Sequence, residues 1–336
     1  MESSAEDGVE TGRTGPGRFE AETAGMRREL LAHCYRMTGS ASDAEDALQE
    51  TYLRAWQAFH GFEGSSSVRT WMYRIATNTC LDQLRSAQRR ILPSGLGSPA
   101  GDPSAPLAQR EEAWLEPLPE AWMWQQAAPT PEEELLAREN LTLAWTAALQ
   151  KLPPNQRAVL LLREVLQFSA EETASTLGTT VASVNSALQR ARTGVGDTAA
   201  SPVADEVERA AVERFVAAFE AHDFDAVVAS MAADTTWQMP PFDRWYRGAH
   251  DSAVLSFTHC PASTAGDLRY LTTRANGQPA VGMYLRKGRD YEAFQFQVLH
   301  VGPTGLVDDV VGWFDPRFFR LAGLPLVLPS DPTPTT

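Results

Sequence analysis

Apolar residues recur three and four positions apart in two blocks of the chain, residues 23–92 and 132–196. This spacing predicts amphipathic helices with one buried face. From residue 203 onward, two or three further helices lead into consecutive strand-like segments with turns at Asn276–Gly277 and Gly302–Pro303. The pattern therefore predicts a multidomain chain: two all-α domains, followed over residues 203–328 by an α+β cone of helices and curved antiparallel sheet.

The first block contains three predicted helices. MRRELLAHCYRMTGS ends at Gly39, and SDAEDALQETYLRAWQAF begins with Ser42 as N-cap. Its predicted buried stripe is Ala44, Leu48, Tyr52, Ala55, Trp56 and Phe59. The opposite face carries Asp43, Asp46, Gln49, Glu50, Leu53 and Arg54. After a loop, HGFEGSSS, the third helix runs from Val68 to Arg90 and has a polar face of Arg74, Asn78, Asp82 and Arg85.

The second block closes with a helix-turn-helix pattern, SAEETASTLGTTVASVNSALQRAR. Ala174 is small enough for two helices to approach, Gly178 suits the left-handed turn, and Val184 points back into the core. The second helix has an acid-free polar face: Ser183, Asn185, Ser186, Gln189 and Arg190. An ordinary helical hairpin is the alternative, but this face suits a DNA major groove.

Between the blocks, residues 93–131 form a predicted linker rich in Pro, Gly and Ser that ends in an acidic segment with three tryptophans. Trp114, Trp122 and Trp124 are too apolar for a solvated spacer, so this segment is expected to dock on a domain or a partner. A helix should resume over Glu132–Leu152. Residues 1–22 and 329–336 are predicted to be disordered tails.

The net charge of −14 is unevenly distributed: residues 26–92 and 151–196 each carry a net charge of +2, and the rest of the chain is acidic. Phosphate neutralisation dominates non-specific DNA affinity, so the isolated chain should bind DNA weakly. Cys34, Cys80 and Cys260 are scattered singly, which disfavours both a disulfide framework and a zinc site. No apolar run approaches the length of a membrane span, and a cytoplasmic protein is expected.

Three segments in order resemble regions 2 and 4 of the extracytoplasmic-function (group IV) sigma-70 factors. They are HCYRMTGSASDAEDALQETYLRAW, RTWMYRIATNTCLDQLR and LPPNQRAVLLLREVLQFSAEETASTLGTTVASVNSALQRAR, within residues 26–193. The resemblance implies region 2 over residues 23–92 and region 4 over 132–196. It also implies a non-enzymatic protein without a cofactor, whose partners are core RNA polymerase, through its β′ and β subunits, and promoter DNA.

The resemblance also assigns roles to residues. The helix face from Asp43 to Arg54 would bind the β′ subunit. The −10 element would be read by Phe62, Arg69, Trp71, Arg74, Asn78 and Arg85. Core packing is the alternative for Trp71. The −35 element would be read by the face from Ser183 to Arg190. The family often places Lys or Arg where this chain has Asn185 and Ala187, which favours adenine contacts by Asn185.

The phrase FVAAFEAHDFDAVVASMAADTTW resembles the SnoaL-like domains of the NTF2 fold. Such cones can hold a pocket for a small ligand, here of unknown identity. The main candidates for its lining are Trp237, Trp245, Tyr246, Phe296 and Trp313, with Met239, Phe242, Tyr284 and Phe294 beside them. Ordinary core packing is the alternative for most of them.

Catalysis in this cone would need a carboxylate or His at the cavity. The available groups, Asp234, Asp243, His259 and His300, show no pattern that brings them together. Two rival interpretations remain: a SnoaL-like cyclase or isomerase with a DNA-binding appendage, and a repressor that uses the helix-turn-helix alone. The C-terminal domain is expected to pack on the sigma regions and regulate them, and a separately folded domain on a passive tether is the alternative.

Overall fold

The computed structural model describes residues 15–62, 64, 66–123, 141–196 and 203–330. Trp124, the start of the helix expected from Glu132, and most of both expected tails lie outside the described residues. In contrast to the disordered tail expected over residues 1–22, Gly15–Thr23 form helix α1. Phe19 anchors this helix, packing edge-on against Phe59 at 5.2 Å and Tyr52 at 6.3 Å between ring centroids.

The first helical domain contains α2 (Met26–Thr38), α3 (Ala41–Ala58) and α4 (Val68–Leu84). As predicted, α2 ends at Gly39, which adopts φ 71°. Helix α3 begins earlier than expected: its N-cap is Ser40, not Ser42, and the Ser40 side chain accepts a hydrogen bond from the Asp43 amide. Helix α4 stops at Leu84 rather than Arg90, and Ile91 instead hydrogen-bonds to the backbone of Ala113 and Leu115.

A short helix, α5 (Glu120–Met123), precedes the second helical domain. That domain contains α6 (Leu143–Gln150), α7 (Pro154–Leu160) with a π-helical turn over Leu161–Val165, α8 (Ala170–Leu177) and α9 (Val181–Val195). A capping box joins Ser169 and Glu172 at the start of α8. Gly178 turns the chain with φ 60°, and Ala174 and Val184 are buried between the helices. The helix-turn-helix is therefore confirmed.

The C-terminal domain begins with α10 (Asp205–Glu220) and α11 (Phe224–Ser230). A third helix, α12 (Ala249–His259), lies between the early strands, where the sequence pattern predicted no element. The strands are β1 (Met231–Gln238), β2 (Trp245–Arg247), β3 (Leu268–Ala275), β4 (Gln278–Lys287), β5 (Asp290–Val301), β6 (Val307–Trp313) and β7 (Val327–Leu328). Helix α13 (Arg317–Leu321) separates the last two.

The strand order is β2-β1-β6-β5-β4-β3, with β7 paired to β5. Strand β1 runs parallel to β6, and the other pairs are antiparallel. Helices α10 to α12 pack on the inner face of the sheet and form the domain's main core. Helices on one face of a mostly antiparallel sheet confirm the predicted α+β architecture.

The outer face of the sheet is also covered, and this connects the domains. Phe296, Phe318 and Phe319 share a core there with Leu115 from the linker and Leu143 from α6. The extended linker segment 96–119, here called the strap, lies along the cone and continues to the helical domains. Both helical domains share one further core, which runs from Phe19 to Val195.

Candidate functional site

The polar face of α3 carries two large exposed apolar side chains beside its acids. Leu53 is 51% and Trp56 is 52% exposed, while Asp46 and Gln49 are also exposed. The sequence pattern wrongly placed Trp56 in the buried stripe; it lies about 100° around the helix from buried Ala55. An exposed apolar pair among acids is typical of a protein-binding surface.

The other expected members of this face are held by ion pairs. Arg90 contacts the Asp43 carboxylate at 2.6 Å. Arg54 contacts Glu50 at 2.6 Å and Asp82 of α4 at 3.3 Å. These ion pairs connect the charged side chains of α3 to α4, through Asp82, and to the segment before the strap, through Arg90.

The residues expected at the −10 element separate into a buried and an exposed group. Trp71 is 7% exposed and packs in the core, which was the alternative for this residue, and its DNA contact stays a prediction. Phe62 packs on it with ring centroids 5.0 Å apart. Arg69, Arg74 and Arg85 are exposed, and they supply the positive charge of the α4 face.

Asn78 of α4 contacts the helix-turn-helix. Its Nδ2 donates to the Thr176 carbonyl of α8 at 3.3 Å. Close by, the rings of Tyr73 and Phe168 pack edge-on at 6.0 Å. The α4 surface around Asn78 is thus partly covered by the second helical domain.

Further contacts hold the two helical domains together. Gln150 Nε2 donates to the Arg36 carbonyl at 3.2 Å, and the buried Arg157 guanidinium donates to the Met37 carbonyl. Gly39 permits this approach, because a Cβ there would lie 2.9 Å from Gln150 Cδ. The domains are therefore closed on one another.

Helix α9 presents its polar face to solvent. The Thr180 side chain caps the helix by accepting from the Ser183 amide at 3.2 Å. All the residues expected to read the −35 element are exposed: Ser183, Asn185, Ser186, Gln189 and Arg190. Behind them Val184 and Leu188 are buried, which fixes the outward face of the helix.

Asn276 connects three parts of the chain, a role that its Asn-Gly turn motif did not reveal. Its Nδ2 donates to Tyr35 Oη of α2 and to the Leu141 carbonyl, each at 2.8 Å. Its Oδ1 accepts from the Leu118 amide of the strap at 2.8 Å. Asn276 is itself fully buried and takes φ 57°, a conformation that Asn tolerates. The C-terminal domain thus packs on the helical domains, as expected.

Glu116 of the strap lies at a second junction. It contacts Arg317 of the C-terminal domain at 3.0 Å, Ser40 Oγ at 2.8 Å and Arg90 at 3.8 Å. Burial raises the pKa of the Glu116 carboxyl, but Arg317, Ser40 and Arg90 together outweigh burial and leave that pKa below its usual value. A further bond joins the Trp313 indole N–H to the Leu115 carbonyl at 2.9 Å. The strap anchors are therefore Leu115, Glu116 and Leu118, whereas Trp114 is only half-buried.

A cavity of about 440 Å³ lies inside the cone. Trp237, Met239, Phe242 and Phe294 line it, as expected. The remaining expected residues lie elsewhere: Trp245, Tyr246, Tyr284, Phe296 and Trp313. Alternation along β5 explains Phe296, whose side chain enters the outer core while Gln295 and Gln297 line the cavity.

The four expected candidates for catalysis do not converge in the described structure. His259 lines the cavity, and its Nε2 lies 3.2 Å from the Pro103 carbonyl of the strap. His300 instead pairs with Asp308 at 2.5 Å on the outer side of the sheet, and this bond raises its pKa. Asp234 is exposed, and Asp243 is not among the lining residues.

None of the helices in the described ranges has the length and apolar character needed to cross a bilayer.

The helical domains match known families. Residues 25–90 match the model for sigma-70 region 2, and residues 142–193 match that for sigma-70 region 4. SigG of Mycobacterium tuberculosis, an ECF (extracytoplasmic-function) RNA polymerase sigma factor, is 48% identical over 317 residues, which cover 92% of this chain and 84% of SigG.

A second relative, SigJ, also has a solved crystal structure. The ECF sigma factor SigJ of Mycobacterium tuberculosis is 30% identical over 219 residues, covering 65% of this chain and 63% of SigJ. The SigJ crystal structure superposes with a TM-score of 0.57 at 23% identity, covering 93% of this chain and 99% of that one, which shows a shared fold. Given the SigG match over most of both sequences, and regions 2 and 4 in order, this chain belongs to the ECF RNA polymerase sigma factors.

Proposed function

We propose that this sigma factor binds the β′ subunit of core RNA polymerase through the α3 face and that α4 and α9 contact the −10 and −35 promoter elements. The observation that supports this assignment is the division of exposed surfaces. The α3 face is acidic and apolar, which suits protein, whereas α9 is acid-free and polar, which suits DNA. We propose that the chain acts in the cytoplasm, where its polymerase partner works.

The polymerase surface is tested by charge reversal. Asp46→Arg with Glu50→Arg should prevent holoenzyme formation, because both acids lie on the proposed β′-facing surface. Trp56→Ala should weaken core binding about five- to thirtyfold, the range of a central aromatic contact. Binding is measured by pull-down and fluorescence anisotropy with purified core enzyme.

A double reversal of exposed acids in the C-terminal domain, Glu206→Arg with Glu213→Arg, is the matched control. Undiminished core binding by the α3 reversal, or an equal loss in this control, would show that the α3 assignment is wrong.

The DNA surface is tested on α9. Asn185→Ala should relax preference at one −35 position, since a good base contact contributes about 1–3 kcal/mol of discrimination. Arg190→Ala should weaken promoter use more evenly. Asn155→Ala, an exposed position on α7, is the control. Transcription in vitro from promoters with single-base changes distinguishes these outcomes, and an unchanged preference in Asn185→Ala contradicts the groove assignment.

We further propose that the closed arrangement is a resting state that the C-terminal domain helps to hold. The −10 and −35 elements are about 25 base pairs apart, or about 85 Å at 3.4 Å per pair. While Asn78 of α4 contacts Thr176 of α8, helix α4 cannot lie at the −10 element with α9 of the same helix-turn-helix at the −35 element. The domains must therefore separate on a promoter, and the Asn276 and Glu116 contacts oppose this.

We propose a regulatory rather than catalytic role for the cone. The scattered positions of Asp234, Asp243, His259 and His300 support this, because acid-base catalysis needs such groups within hydrogen-bond reach of one substrate.

A further inference from the structure

The cavity inside the cone has the lining of a small-molecule site. Its volume of about 440 Å³ falls within the usual range for ligand pockets. The walls are aromatic and sulfur-bearing side chains, chiefly Phe219, Trp237, Phe257, Met239, Met283 and Phe314. Among the described residues that line it there is no Lys, Arg, Asp or Glu.

Two buried amides are among the polar groups of this wall, which also include Gln109, His222, Ser256 and His259. Gln295 and Gln297 lie two residues apart on β5 and are 2% and 1% exposed. Gln297 Nε2 donates to Gln295 Oε1 at 2.6 Å. Gln295 Nε2 and Gln297 Oε1 then have no hydrogen-bond partner within the described structure. The Trp237 indole N–H also lacks a partner there. Exchanging O and N in both amides still leaves one donor and one acceptor unused.

The sheet is built to hold this amide pair. Gly312 of β6 is paired in register with Gln297. A Cβ at Gly312 would lie 2.6 Å from both Cδ and Nε2 of Gln295. Glycine there leaves the space that the Gln295 amide occupies. Unpaired buried amides are costly, so a site that keeps them beside a cavity is suited to an occupant that pairs them.

We propose that this cavity binds a neutral, largely apolar molecule carrying one carbonyl or hydroxyl oxygen, which hydrogen-bonds to the Gln295–Gln297 pair. A carbonyl accepts from the free amide N–H, and a hydroxyl also donates to the free amide oxygen. The ligand is neutral because the described lining offers no Lys, Arg, Asp or Glu to pair a charge, its titratable side chains being His222, His259 and Cys260, and an unpaired buried charge is strongly disfavoured.

The occupant would also touch the strap. Leu107 and Gln109 of the strap form part of the cavity wall. The strap is fixed there by bonds from the Arg110 amide to the Pro241 carbonyl at 2.9 Å and from the Asp243 amide to the Ala108 carbonyl at 3.2 Å. The same segment continues to the anchors at Leu115 and Leu118. This link to the sigma regions depends on the proposed function, whereas ligand binding does not.

The test uses Prodan, a neutral naphthyl ketone whose emission shifts to the blue in apolar surroundings. Titration of the full-length protein should give saturable one-to-one binding with a blue shift. In Gln295→Met the dissociation constant for Prodan should rise about three- to tenfold, the loss of one hydrogen bond. Dimethylaminonaphthalene, which lacks the ketone, should bind the wild type and Gln295→Met equally. Glu292→Gln, at an exposed position on the same strand, is the control.

Two further measurements place the probe in the cavity. Ala262→Trp, which fills the cavity, should abolish binding while circular dichroism shows that the fold is kept. Prodan should slow maleimide labelling of Cys260, which lines the cavity, whereas Cys34 and Cys80 are fully buried in the other core.

The proposal is overturned if the folded wild type shows no saturable Prodan binding or if Ala262→Trp still binds it. It is equally overturned if Gln295→Met weakens both probes alike, because this would mean a general disturbance of the cavity. These assays need no polymerase, so their failure is distinguishable from failure of the proposed sigma function.

Discussion

Replacing Asn276 by Gly isolates the side chain that joins the cone to α2, the strap and the start of α6. Glycine keeps the left-handed turn between β3 and β4, since it adopts the observed φ of 57° without strain. The substitution removes three hydrogen bonds of 2.8 Å: those to Tyr35 Oη, to the Leu141 carbonyl and from the Leu118 amide.

The size of the effect follows from burial. Leu118 is fully buried and Leu141 is 1% exposed, so their backbone groups lose their partner without gaining water. At about 1 kcal/mol for each bond, the interface should lose at least about 3 kcal/mol. Opening of the strap should then become roughly 100-fold more frequent.

Hydrogen exchange measures this opening directly. The Leu118 amide should exchange roughly 100-fold faster in Asn276→Gly, whereas the Leu299 amide, between β5 and β6 in the cone core, should be unchanged. If the closed state restrains the sigma regions, output in vitro should rise as well. An unchanged exchange rate at Leu118 would refute the argument that Asn276 holds the domains together.

Two further predictions concern charge inside the first helical domain and at the strap. Burial lowers the pKa of His33 from 6.5 to about 3, so the native state binds fewer protons and the free energy of unfolding should fall as pH drops through this window. His33→Leu should flatten that dependence, by up to about 1.4 kcal/mol per pH unit in urea titrations, and an unaltered slope would contradict it. Reversing the ion pair between Glu116 and Arg317 one side at a time should raise transcription with core enzyme. Glu116→Arg combined with Arg317→Glu should bring the output part of the way back to the wild-type level, because an arginine at position 116 would still face Arg90. Equal output in all three variants would exclude a restraining role.

The helical half of the chain was determined largely by local sequence. The helix-turn-helix follows from residues close together in the chain: Ser169 and Glu172 cap one helix, Gly178 makes the turn and Val184 fills the gap between helices. Such contacts span a few positions, and the side-chain period reveals them. The acid-free face of α9 could be predicted for the same reason.

Burial at the edge of a helix stripe could not be predicted in this way. Trp56 and Trp71 are both tryptophans on amphipathic helices, yet one is exposed and the other lies in the core. Which side is covered depends on the neighbouring helices, and the sequence period locates the edge of a stripe only to within about one residue.

The sequence by itself determined most of the elements, their order and the family resemblance, because these depend on local periodicity and on motifs; helices α1 and α12 are the exceptions. Only the tertiary structure decided which residues the Asn276 side chain contacts and which face of the cone's strands lines the cavity. An Asn-Gly pair specifies a hairpin turn, but its hydrogen bonds to Tyr35 and Leu118 join residues 241 and 158 positions apart. Likewise, strand alternation allows either face of β5 to line a cavity, and only the packing of helices and strap selects Gln295 and Gln297 over Phe296.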